Sequence, residues 1–232
     1  MAVVIVAGAS RGIGAAVAQA LATPDHHLVL AARDAAALEA VAAQVRAAGG
    51  AATTVACDLT AEPHVCRLIE QARAISGQID GLVHAAGRAL VAPLHEITLA
   101  DWEGLLRVNL TSTFLLCKHV RPHMPAGSCI VTIASVAAKQ AFPGWAAYSA
   151  SKAGVLALTN ALREELRPAG VRVVAVLPAA TDTGLWDSVP GEWNRNNMIQ
   201  AADVGRSVAW VLAQPPEVTI EELTIGHVIG RL

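Results

Sequence analysis

Short apolar runs that do not alternate with polar residues, each followed by an alanine-rich helical stretch, recur along the 232-residue chain. No other feature constrains the fold as much. A strand that is apolar on both faces must be covered on both, and that is the habit of parallel sheets. Candidate strands are 3–7, 27–31, 52–57, 81–84, 129–134, 171–177 and 223–228, with helices near 12–21, 35–47, 63–75, 99–123, 146–166 and 202–212. Thr98 with Asp101 resembles a capping box opening one helix, and Gly49-Gly50 closes another. Strand, helix and strand in strict succession imply right-handed crossovers. The expectation is therefore a doubly wound α/β fold: a mostly parallel seven-stranded sheet with helices on both faces. A chain of this length with no repeat or linker reads as one domain, 1–232. Residues 181–197 are the longest stretch that is neither clear strand nor clear helix.

Directly after the first strand comes Gly8-Ala9-Ser10-Arg11-Gly12-Ile13-Gly14. Glycines between a strand and a helix give a tight turn, close backbone approach and a helix N-terminus aimed at a pyrophosphate. The same letters satisfy G-x-S-x-G, which would make Ser10 a hydrolase nucleophile with partners such as Asp203 and His227. That alternative leaves Arg11 and the third glycine without a task, and its elbow would follow the very first strand, with no earlier strand or oxyanion loop before it. At the end of the second strand stands Arg33, followed by Asp34. Arginine here suits a ribose 2′-phosphate, as acid suits a 2′-hydroxyl, and with Arg11 it favours NADP(H). Asp34 reads as a helix N-terminal residue. Asp58-Leu59, at the tip of the third strand, can reach an adenine, and a turn cap is the competing reading for Asp58.

The only tyrosine is Tyr148, with Lys152 four positions on in a helical window. Positions i and i+4 share a helix face. An ammonium there is expected to lower the phenol's pKa toward a range useful for proton transfer. Ser135, thirteen residues upstream at the end of an apolar strand, can orient a substrate oxygen.

Together these residues resemble the classical short-chain dehydrogenases/reductases, whose motifs are matched in order over nearly the whole chain. The matches are the glycine turn 8–14, Asp58, Ala86-Gly87, Asn109, Ser135, Tyr148-x-x-x-Lys152, and Pro178 with Thr183. The resemblance implies a Rossmann-like oxidoreductase, its cofactor-binding part about 1–90 and its catalytic part about 91–232. It implies that Tyr148 is the general acid or base, that Lys152 tunes it and bonds the nicotinamide ribose, and that Ser135 holds the substrate oxygen. Asn109 would support a water leading toward Lys152; otherwise it marks a kink in helix 99–123. Gly8, Ser10, Arg11, Gly12, Ile13, Gly14, Arg33, Asp58, Leu59, Ala85, Ala86, Gly87, Pro178, Thr181 and Thr183 would contact the cofactor beside Tyr148 and Lys152. Departures are Ala7 for the family's threonine, His84-Ala85 for two asparagines, and Ala179 for the glycine after Pro178.

Five tryptophans against one tyrosine and two phenylalanines is unusual usage. Trp145, Trp186 and Trp193 are placed either around an apolar substrate or in ordinary core packing. Eight histidines show no metal spacing, and no metal is expected; His119 and His123 read as surface or interface residues. Cys57, Cys66, Cys117 and Cys129 form no C-x-x-C pair and suit free thiols in a reduced, cytoplasmic protein. A net charge of −2 gives no case for nucleic acid or an anionic membrane. The first residues read as a strand rather than a signal peptide, and Arg231-Leu232 follow soon after the last strand. The resemblance also implies a homodimer or homotetramer built on the helices near 99–123 and 146–166. The expected reaction is NADP(H)-dependent interconversion of a small, apolar carbonyl and its alcohol. A regulator that binds NADP(H) without catalysis is the other class considered, though binding alone would not call for Asn109, Ser135, Tyr148 and Lys152 together.

Overall fold

The computed structural model describes residues 1–229; Arg231 and Leu232 lie outside them. In chain order the main elements are β1 (Ala2–Ala7), α1 (Gly12–Ala20), β2 (His26–Ala32), α2 (Ala35–Ala47), β3 (Ala51–Ala56), α3 (Glu62–Ser76) and β4 (Gly81–His84). Then come α4 (Leu99–Leu106), α5 (Ser112–Val120), β5 (Cys129–Ile133), α6 (Ala146–Leu166) and β6 (Arg172–Pro178). The two short strands β7 (Thr181–Asp182) and β8 (Ile199–Gln200) precede α7 (Ala201–Leu212) and β9 (Glu222–Ile225). Seven strands form one sheet in the order β3-β2-β1-β4-β5-β6-β9, and every pairing is parallel. The sequence expectation was mostly parallel; the described sheet is wholly so.

β1 shows why the runs are apolar throughout. Val3, Ile5 and Ala7 point into one core layer with α3 and α5. Val4 and Val6 point into the other, with α1, α2 and α7. Burying both faces of a valine or leucine strand is worth roughly 1.5–3 kcal/mol per large side chain. On the second face α7 lies close upon α1, because a Cβ at Gly205 would stand 2.6 Å from the carbonyl oxygen of Ala16.

The expected helix 99–123 is not continuous. α4 gives way to a π-helical turn, Arg107–Thr111, before α5 resumes, and Arg121–His123 is a 3-10 turn carrying Pro122. The hydroxyls of Ser112 and Thr113 donate to the carbonyls of Val108 and Asn109 at 2.6 and 2.7 Å, offering the backbone an alternative to regular bonding. The irregular stretch 181–197 also has more order than its sequence suggests. β7 and β8 pair in parallel, closing its base. Among the described residues, no helix is long and apolar enough to cross a membrane.

Candidate active site

β1 and β4 are neighbours although β2 and β3 lie between them in sequence, so the strand order reverses at their junction. Ligands of open α/β sheets bind at such a reversal, beyond the carboxyl ends of the strands. The glycine turn occupies that place. Gly8 has φ +86°, and a Cβ there would meet the Ala86 nitrogen at 2.5 Å. A Cβ at Gly14 would be 2.1 Å from the Gly8 carbonyl oxygen. Gly12 has φ +58° and faces Thr183. α1 then begins with no side-chain cap and no acid in its first turn. Its free N–H groups and the positive end of its dipole are therefore open to an anion. Among the described residues no histidine or carboxylate bonds Ser10; Asp203 caps α7 and bonds Arg206, and His227 accepts from the Ile229 amide.

Arg11 and Arg33 are exposed and form no ion pair among the described residues. Asp34 is the N-cap of α2, its Oδ1 accepting from the Ala37 amide at 3.0 Å. Asp58 closes a turn, accepting from the amide and hydroxyl of Thr60 at 2.9 and 2.8 Å. Those bonds, with the Arg33 charge nearby, hold its carboxyl below the usual range. Leu59 is buried in the core layer under α3.

One cleft is lined by Ser135, Tyr148 and Lys152 together with Ile13, Ala85, Gly87, Pro178, Thr181 and Thr183. Ser135 opens a 3-10 turn after β5, its Oγ accepting from the Ala137 amide at 3.1 Å. Tyr148 and Lys152 are both buried on α6, the ammonium 5.9 Å from the phenol ring centroid. The expected lowering of the phenol is reversed here. Burial pushes Tyr148 up to about 12, with the Ser135 hydrogen bond pulling the other way. Burial also brings Lys152 down to about 8. Its ammonium donates to the Ile133 carbonyl at 2.8 Å. Desolvation is the leading cause at both groups.

Asn109 sits in the π-helical turn, 1% exposed. Its amide bonds both the N–H and the C=O of Arg88, at 2.9 and 3.0 Å, and donates to Ser151 Oγ at 2.9 Å. It thus clamps the backbone just after Gly87, whose own Cβ position would be 3.4 Å from Asn109 Oδ1 and 3.5 Å from Lys152 Nζ. The kink and the close approach to the site are the same feature. His84, which pairs with Ala7 in the sheet, was not marked by sequence as a site neighbour. Its Nε2 is 2.9 Å from Ser112 Oγ, and burial plus the Lys152 charge bring it down to about 3.

The outer wall is aromatic. Trp145 packs edge-on to Tyr148 with centroids 5.3 Å apart, and Trp186 lies 5.7 Å from Trp145. Both line the cleft, with Phe142 and Leu185. Trp193 packs tilted against Trp186, their centroids 4.8 Å apart, and is not among the lining residues. The indole of Trp186 donates to Thr181 O at 3.0 Å, so that polar handle is already used. Arg195, unmarked by any sequence pattern, ties the segment to itself: it bonds Asp182 at 2.8 Å, Asp187 at 2.6 Å and the Thr183 carbonyl at 2.9 Å. Among the described residues no group of three or more histidine, cysteine or acidic side chains could hold a metal ion.

A family model described as short chain dehydrogenase matches residues 2–192. An oxidoreductase of Staphylococcus saprophyticus, uncharacterised, is 34% identical over 97% of both chains. D-threitol dehydrogenase of Mycolicibacterium smegmatis is 39% identical over 82% of this chain and 75% of its own. Among solved structures, an alcohol dehydrogenase of the archaeon Thermococcus sibiricus complexed with 5-hydroxy-NADP superimposes with a TM-score of 0.92. It is 26% identical and covers 100% of this chain and 99% of its own.

Proposed function

The chain belongs to the short-chain dehydrogenase/reductase family, and from that premise we propose that it is an NADP(H)-dependent oxidoreductase acting on a small, apolar ketone or aldehyde and the matching alcohol. The observation that carries the reading is the meeting of Ser135, Tyr148 and Lys152 on one cleft beside the glycine turn. The chain's own residues fit a dinucleotide. The turn Gly8, Ser10, Arg11, Gly12, Ile13 and Gly14, with the uncapped start of α1, would take the pyrophosphate. Arg11 and Arg33 would take the 2′-phosphate, with Asp58 and Leu59 toward the adenine. Ala85, Ala86, Gly87, Pro178, Thr181 and Thr183 would flank the nicotinamide end, with Tyr148 and Lys152. When bound, the dinucleotide supplies or takes up the hydride.

Tyr148 gives its proton to the carbonyl oxygen in reduction and accepts it back in oxidation. A phenol held at about 12 remains protonated at neutral pH and is ready as the acid. Ser135 holds the same oxygen and stabilises the charge that develops on it. Lys152, with its pKa near 8, sits where a small change of environment alters its charge. Asn109 fixes the Arg88 backbone and, in this reading, orients a water toward Lys152. The wall of Phe142, Trp145 and Trp186 supports an apolar substrate. Residues 1–90 would carry the cofactor and 91–232 the substrate, within a cytoplasmic homodimer or homotetramer.

The deciding experiment is NADPH oxidation against a panel of ketones, aldehydes, quinones and 3-oxoacyl thioesters, with Tyr148→Phe alongside. Turnover in the wild type that falls by about 10²–10⁴-fold in the variant, with NADPH affinity kept, is the expected result. Full activity in Tyr148→Phe overturns the assignment.

A further inference from the structure

His84 closes β4, flanked in the sheet by Ala7 of β1 and Thr132 of β5. It is 2% exposed, and its Nε2 lies 2.9 Å from Ser112 Oγ at the start of α5. The direction of that bond is fixed by the serine. Ser112 has one hydroxyl proton and donates it to the Val108 carbonyl at 2.6 Å. Its oxygen therefore accepts from the imidazole, which must carry its proton on Nε2. Burial, and after it the Lys152 charge, bring the imidazole down to about 3, so it is a neutral donor at pH 7. Thr132 offers it no other partner, because that hydroxyl is committed to Thr159 at 2.8 Å.

The two bonds in series, imidazole to hydroxyl and hydroxyl to carbonyl, end on the π-helical turn that carries Asn109. They start at the root of the loop 85–88, of which Ala85, Gly87 and Arg88 line the cleft. At the far end of that loop Asn109 bonds the N–H and the C=O of Arg88, at 2.9 and 3.0 Å. The loop is thus pinned to one turn at both ends, by the His84 side chain and by Asn109. Gly87 lies between the pins, where a Cβ would stand 3.4 Å from Asn109 Oδ1 and 3.5 Å from Lys152 Nζ. Turn, loop and ammonium meet there, so a turn that slips moves Asn109 and the loop against Lys152. We propose that His84 is a positioning residue for the reaction: its Nε2–H holds Ser112 and the π-helical turn, and so sets Asn109 and the loop 85–88 against Lys152. The inference rests on the oxidoreductase reading and adds to it a residue that does not itself line the cleft.

The test compares His84→Gln, whose amide can still donate toward Ser112, with His84→Leu, which cannot, and with Ser112→Ala. Nitrogen NMR of the wild type at pH 7 should show the His84 ring protonated on Nε2 alone. The Arg88 amide, which Asn109 Oδ1 holds, reports the turn without any turnover. Its hydrogen exchange should quicken about tenfold in His84→Leu and Ser112→Ala, while the Val131 amide in β5 keeps its protection. On the best substrate of the panel, kcat should fall about tenfold in both variants with KM for NADPH within about twofold. His84→Gln should restore most of kcat, and the double variant should lose no more than either single one, because one chain is broken only once. A residue that only stabilised the fold would quicken exchange at Val131 as well and would leave kcat of the folded protein unchanged. Should His84→Leu not fold, Ser112→Ala carries the same comparison. A wild type without turnover would overturn the oxidoreductase reading and the catalytic part of the proposal with it, whereas the ring tautomer and the Arg88 exchange would still decide whether His84 holds the turn. A ring protonated on Nδ1, Arg88 exchange unchanged in both variants, or an unaltered kcat in both overturns the proposal.

Discussion

At Lys152 burial works against charge, and the sign can be followed through to stability. The folded lysine titrates near 8 and the unfolded one near 10.5. Between those values the unfolded chain holds more protons at this group, so Lys152 contributes stability to the cofactor-free protein as pH rises through the window, by up to about 3 kcal/mol. Tyr148 acts the other way above pH 10, because the folded phenol keeps its proton to about 12. In urea unfolding from pH 7 to 10 the wild type should gain stability relative to Lys152→Met, while the thiols of Cys57, Cys117 and Cys129, pushed up by burial, draw both proteins down as pH passes about 9; a wild-type-minus-variant difference that does not change with pH would place the effect elsewhere. At the adenine end the expectation concerns selectivity. Arg33→Ala should weaken NADPH binding by about tenfold or more while barely changing NADH, since one charge-assisted contact to the 2′-phosphate is removed. Equal losses for both cofactors in fluorescence titration would remove the argument from Arg33.

Between elements, the close contacts are where substitutions should cost most. Gly205→Val would drive a side chain into the Ala16 carbonyl and part α7 from α1, an overpacking expected to cost about 1–3 kcal/mol or more in chemical denaturation. Arg195→Ala should leave the sheet intact but loosen the wall carrying Trp186, raising KM for apolar substrates several-fold with a smaller loss of NADPH affinity through the freed Thr183 carbonyl. An unchanged KM would mean that the clamp on Asp182 and Asp187 is not needed for binding. Most elements were legible, because an apolar run of valine and isoleucine and a proline-free alanine stretch are local statements. The bounds of α2, β4 and α6 are those that the sequence suggests. The π-helical turn was legible only as a kink at Asn109; its form was not, because two hydroxyls must reach back to Val108 and Asn109, and leucine and valine around them read as plain helix. Nor was Arg195, whose three partners are joined only once the segment folds back. The raised phenol of Tyr148 escaped for a related reason, since spacing reports the neighbouring ammonium and not the depth of burial.

Over the whole molecule, the family reading brings an expectation about assembly. Phe114 on α5 is 47% exposed, with the Lys118 ammonium 5.9 Å from its ring. If the helices near 99–123 and 146–166 form the contact between subunits, Phe114→Glu should convert a dimer or tetramer in analytical ultracentrifugation to a smaller species; an unchanged mass would move the contact to another face. The sheet itself joins strands far apart in sequence, and Asn109, Ser135, Tyr148 and Lys152 all rest on that shared frame. The outer part of the aromatic wall, Leu185 and Trp186, does not. Residues 183–198 leave through β7 and return through β8, which are paired side by side, and Arg195 knots the excursion internally. The segment beyond Thr183 contributes neither to the strand end that holds the serine nor to the helix that holds the tyrosine. If the proposed function holds, a lineage carrying this fold can change much of its substrate preference within a single segment while inheriting its proton chemistry.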